Sequence, residues 1–102
     1  MLDLDHLSRQ TLGNRTLENE VLELFIGQAE IQVDLIRATV DLRARREAAH
    51  ALVGSARAIG AADVSRIAGE IERMEGPDDA AIEALAGAVA DTNAFIRKHL
   101  AG

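Results

Sequence analysis

Cysteine, tryptophan and tyrosine are absent from this chain; phenylalanine occurs twice and proline once. Without cysteine there is neither a disulfide nor a thiolate metal site, which is compatible with a reducing compartment. No run of about 18 apolar residues occurs, so nothing is expected to span a membrane. The first residues, MLDLDHL, are acidic and lack a basic stretch followed by an apolar one, so no secretory signal is expected there. A cytoplasmic location is the plain expectation. No GxxxxGK[ST] loop is present to cradle the phosphates of a nucleotide. Ser55 follows Gly54, but no strand or strained turn surrounds it as a nucleophile elbow would require. Basic residues are outnumbered, 11 against 17 acidic, for a formal charge of −6. An acidic surface repels phosphate backbones, which argues against nucleic acid as a partner.

What fills the chain instead is alanine and leucine. Hydrophobic residues make up 48 % and aromatics only 2 % of the 102 residues. Strong helix formers in this excess, with β-branched residues in the minority, favour packed helices. The length suits one domain, 1–102, with a single core.

The hydrophobic periodicity predicts five helices. Residues 3–12 read as a short first helix with Leu4, Leu7 and Leu12 inward, ended by Gly13 and Asn14. A long second helix is predicted from about Thr16 to Thr39, its inward stripe formed by Val21, Leu24, Phe25, Gln28, Ile31 and Leu35. Asp41 can cap a third, from about Leu42 to Ile59, with Gly60 as its stop. The fourth runs from about Ala62 to Glu75, with Val64, Ile67, Ala68, Ile71 and Met74 inward. Gly76-Pro77 breaks it, and Asp78 or Asp79 caps a fifth that carries Ile82, Leu85, Val89, Ile96 and Leu100. Short loops make successive helices antiparallel neighbours. The expected architecture is all-α: an up-down-up-down four-helix bundle with a short additional N-terminal helix. A bundle of this length closes its own core, so a monomer is expected.

The third helix carries the specific signal. Advancing about 100° per residue puts Leu52, Ala56 and Ile59 on the side opposite His50, flanked by Ala48 and Ala49. Arg43, Arg46, Val53, Gly54 and Arg57 fall within roughly 60° of His50, on the outer face. An acidic chain thus displays a histidine among arginines. Gly54, one turn from His50, sacrifices about 1 kcal/mol of helix propensity on that face. Glu47 and His50 match the Glu-x-x-His spacing of bundle metal sites, but such sites need two of these motifs and further inward carboxylates, so no metal is expected. His6 and His99 lie near the chain ends in unrelated surroundings and read as surface residues.

These residues resemble a family. His50-Ala-Leu52-Val-Gly54-Ser55-Ala56, followed by Ile59-Gly60-Ala61, is similar to the motif of the histidine-containing phosphotransfer (HPt) domain, His-x-Leu-Lys-Gly-Ser-[Ser/Ala] followed by an apolar residue and a glycine. The family's fold is a bundle with this helix order, so the resemblance spans nearly the whole chain. It implies that His50 takes a phosphoryl group from an aspartyl phosphate on the receiver domain of a hybrid histidine kinase and passes it to the receiver of a response regulator. It implies a phosphoryl carrier rather than an autonomous enzyme, with no cofactor of its own and with Mg²⁺ in the partner receiver. Val53 stands where the family has a lysine that orients or neutralises the phosphoryl group. Arg57 and Arg46, each on the same face, are the candidate substitutes, and Arg43 joins them as a candidate contact to the phosphoryl group or an acidic partner. Gly54 would leave room for the partner's close approach. An alternative is a non-phosphorylated adaptor that docks receivers without transfer, with Val53 marking the lost chemistry; a purely structural helical bundle is a third possibility.

Overall fold

Four of the five helices start on a side-chain cap, which explains where the chain changes direction. In the computed structural model, which describes residues 2–102, the helices are α1 (Leu4–Gln10), α2 (Arg15–Ala38), α3 (Leu42–Ile59), α4 (Ala62–Arg73) and α5 (Asp79–Ala101). Asp3, Asn14, Asp41 and Asp78 each accept a hydrogen bond from a backbone N–H of the first turn, satisfying donors that have no partner within the helix. Only α4 lacks such a cap, because Ala61 at its cap position has no side-chain acceptor, and it follows α3 after a tight turn. There Gly60 adopts φ 72°, and Ala61 donates its N–H back to the carbonyl of Ala56 at 2.8 Å. That conformation favours glycine. So does the space: a Cβ on Gly60 would lie 2.6 Å from the Cβ of Asp3, whose own N–H bonds the Gly60 carbonyl at 3.1 Å.

α2, α3, α4 and α5 form a closed ring in which each packs on two neighbours, and α1 lies against α2 and α3. The core runs through the ring, with Leu22, Phe25, Leu52, Ile59, Val64, Ile71, Leu85 and Ile96 among its members. The four-helix bundle with a short N-terminal helix is therefore as expected, and no strand occurs among the described residues. None of these helices is long and apolar enough to cross a membrane.

Two inward assignments change. Leu12 is 94 % exposed, because the chain turns there with φ 54° instead of continuing α1. On α2 the buried stripe is Leu22, Phe25, Ala29, Val33 and Ile36, whereas Leu24, Ile31 and Leu35 are exposed, as is Gln28. α2 carries apolar residues on two adjoining faces, so periodicity alone allowed either. The face with Ala29 at its centre goes inward, since a small side chain lets neighbouring backbones approach. Smaller differences fall at helix ends, where α4 stops at Arg73 rather than Glu75.

Candidate functional site

His50 occupies the middle of α3 with its side chain 75 % exposed. The buried residues of the same helix include Ala48, Ala49, Leu52, Ala56 and Ile59, so burying them turns His50 outward. Its imidazole is nevertheless held. Nδ1 lies 2.8 Å from Oε2 of Glu72 on α4. A carboxylate can only accept, so Nδ1 carries the proton of this bond, which in the neutral form of the ring puts the lone pair on Nε2. Glu72 meets His50 because α3 and α4 run antiparallel from the turn at Gly60-Ala61, and the two residues stand equally far from Ala61 along the chain. Val53 and Gly69, likewise equidistant from Ala61, meet in the same way.

An open cleft of about 620 Å³ lies beside the ring, lined by Arg43, Arg46, Glu47, His50 and Glu72 among others. Arg43 donates from Nε to Glu47 at 3.2 Å, so Glu47 is engaged in an ion pair on its own helix. Arg46 reaches the Met74 carbonyl from Nη2 at 3.5 Å, while its Nε is buried without a partner. No group of three histidine, aspartate or glutamate side chains suited to a metal ion occurs among the described residues. Arg57 is exposed but belongs elsewhere. It lines a separate depression with Asp3, His6, Gly60 and Ser65, toward the α3–α4 turn.

Of the residues expected around His50, Arg43 and Arg46 line the same cleft as the ring, whereas Arg57, as far along the helix as Arg43 but in the other direction, does not. Gly54 lies exposed with open space where a Cβ would project. Val53 does not share the outer face. It is only 6 % exposed, its Cγ2 turned toward Gly69, because α4 packs against that edge of α3. A helical wheel drawn for one helix places Val53 at the border of the outer face and cannot see the neighbour that covers it. Glu72 was not identified from the sequence, although counting outward from Gly60-Ala61 along two antiparallel helices would have found it. Arg45 was missed as well: it is 3 % exposed on the inward side of α3, with Nε unpartnered.

The family model described as the Hpt domain matches residues 20–99. No curated protein and no solved structure matches the chain.

Proposed function

The chain belongs to the Hpt domain family, whose members carry phosphoryl groups in two-component systems and meet receiver domains there, and on that premise we propose that His50 is the phosphoacceptor and donor of a phosphorelay. The observation that carries the reading is an exposed imidazole whose Nδ1 is bound to Glu72. Nε2 attacks the phosphorus of a receiver's aspartyl phosphate; the N–P bond forms as the P–O bond to the carboxyl group breaks. The aspartate leaves as a carboxylate, and no proton needs to move. The ring becomes positively charged as Nε2 takes the phosphoryl group, and the Glu72 carboxylate at Nδ1 stabilises that charge. The reverse step passes the group to a second receiver.

Little else is asked of this chain, since phosphoryl transfer depends mainly on positioning and charge neutralisation. The receiver would bring its own Mg²⁺. Arg46, in the cleft with His50, is the better placed of the two candidate substitutes for the lysine that Val53 replaces; Arg57 and Arg43 serve the encounter with an acidic partner. Gly54 opens the way for a partner loop. Leu24 and Leu35, exposed on α2, line depressions shared with Ser55 and Ala51 of α3 and extend the docking surface.

Labelling tests the reading. ATP and Mg²⁺ alone should leave the protein unlabelled. Addition of a hybrid kinase and its receiver should give an acid-labile, alkali-stable phosphate that His50→Gln abolishes and that His6→Gln and His99→Gln retain. Label after ATP alone, or label surviving His50→Gln, would overturn the assignment. Val53, apolar and buried where the family has lysine, favours one second reading, an adaptor. Receiver binding with no label on His50 would establish it.

A further inference from the structure

We propose that Arg73 is a catalytic residue of this site, a second cation beside Arg46 that neutralises the phosphoryl group on His50; the proposal rests on His50 being the phosphoacceptor. Arg73 follows Glu72 directly near the end of α4 and is exposed. Side chains on a helix lean toward its N-terminus. Arg73 therefore leans back over Gly69, one turn earlier, and Gly69 has no side chain to stop it. The position of a Cβ on Gly69 lies 3.4 Å from Nη1 of Arg73 and 3.9 Å from Cγ2 of Val53. The guanidinium thus follows the α3–α4 groove toward Val53, which stands one turn beyond His50.

The charge of the site requires such a group. A phosphoryl group on Nε2 adds two negative charges near the carboxylate of Glu72, and the imidazolium offsets only one of the three. Val53 contributes methyl groups and no donor. Of the nearby arginines, Arg43 is paired with Glu47, and Arg46, which also donates to a carbonyl across the cleft, offsets a second charge and leaves one. Arg73 makes no ion pair or side-chain hydrogen bond among the described residues, so no existing contact must break before it binds the phosphoryl oxygens. A guanidinium suits that task because its fork of donors matches two oxygens at once. Arg73 was not legible as a site residue in the sequence, since it lies 23 positions after His50 on another helix. The bare backbone of Gly69 connects it to Val53, one turn along α3 from His50.

Partner-free chemistry separates neutralisation from docking. The protein is phosphorylated with phosphoramidate, and the phosphohistidine resonance is followed by ³¹P NMR through a pH titration of the wild type and of Arg73→Lys, Arg73→Gln and Arg73→Glu. A nearby cation favours the dianion, so losing it raises the midpoint of the phosphoryl group's last ionisation. The expected order is wild type close to Arg73→Lys, then Arg73→Gln higher by roughly half a pH unit, then Arg73→Glu higher still. Equal midpoints in all four overturn the role of Arg73 while leaving His50 as phosphoacceptor. The resonance of interest is the one lost in His50→Gln; a wild-type spectrum with no such resonance overturns the phosphoacceptor reading and this proposal with it.

Discussion

Nδ1 of His50 and Oε2 of Glu72 are 2.8 Å apart, although the two residues belong to different helices. The helix that presents the imidazole is therefore not the helix that orients it. If this bond fixes the tautomer and stabilises the charged ring, Glu72→Ala should slow transfer from a phosphorylated receiver by on the order of tenfold, about 1.4 kcal/mol. Glu72→Gln can still accept from Nδ1 and should lose less. Melting temperature should hardly change, because the pair is solvent-accessible and contributes little to folding. Equal transfer rates in Glu72→Ala and the wild type would remove Glu72 from the mechanism.

The arginines of α3 should divide by position. Arg46 shares a cleft with His50, whereas Arg57 faces the α3–α4 turn. Arg46→Gln should slow transfer even at high ionic strength, because a charge close to the phosphoryl group is poorly screened. Arg57→Glu should slow the encounter at low salt and flatten the salt dependence, leaving the rate at high salt nearly unchanged. Transfer measured across a salt series for both variants checks this. Identical profiles would assign both arginines to an ordinary solvated face.

Open space beyond Gly54 gives a prediction of opposite signs for stability and function. Gly54→Leu puts a better helix former on an exposed face, so stability should hold or rise by up to about 1 kcal/mol. Transfer should collapse, since a leucine side chain would stand between the partner and His50, and Gly54→Ala should fall between the two. Thermal melting and transfer rate measured on the same variants decide the matter. A lowered melting temperature in Gly54→Leu would mean that the glycine serves packing instead.

Arg45 is the expensive residue of the fold. It is 3 % exposed and its Nε has no partner. An unsatisfied buried donor on a charged group costs about 1–3 kcal/mol, and an unbranched apolar side chain of similar reach avoids that cost. Arg45→Met should therefore raise the unfolding free energy by about 1 kcal/mol or more in denaturant titration. It should leave transfer intact, since Arg45 points away from His50. A loss of stability would show that the guanidinium is compensated.

How much of this was legible in the sequence depends on how many helices a feature involves. Features of one helix were: the bounds of α3, its Asp41 cap, the Gly60 stop, and the outward positions of His50 and Gly54. Features decided by two helices were not. Val53 lies at the edge of the outer face of α3 and is buried only because α4 covers it. α2 offers two apolar faces, and its neighbours choose the one centred on Ala29. Glu72 has no local mark at all, being one of several acidic residues near the end of α4. Leu12 failed for a third reason: the chain leaves the helix there in a left-handed turn that the apolar pattern does not reveal.

The tight turn at Gly60-Ala61 has a consequence for how this site can vary. It acts as the zero mark of a ruler laid along both helices, and the Asp3 backbone pressed against Gly60 holds that mark in place. One residue inserted there would turn α4 by about 100° and advance it about 1.5 Å relative to α3. Glu72 would leave His50, and Gly69 would leave Val53, without a single side chain in the site having been replaced. The length of the hairpin turn thus constrains the site as tightly as any residue within it, and a change of length at a surface turn would act as a mutation of the site some ten residues away.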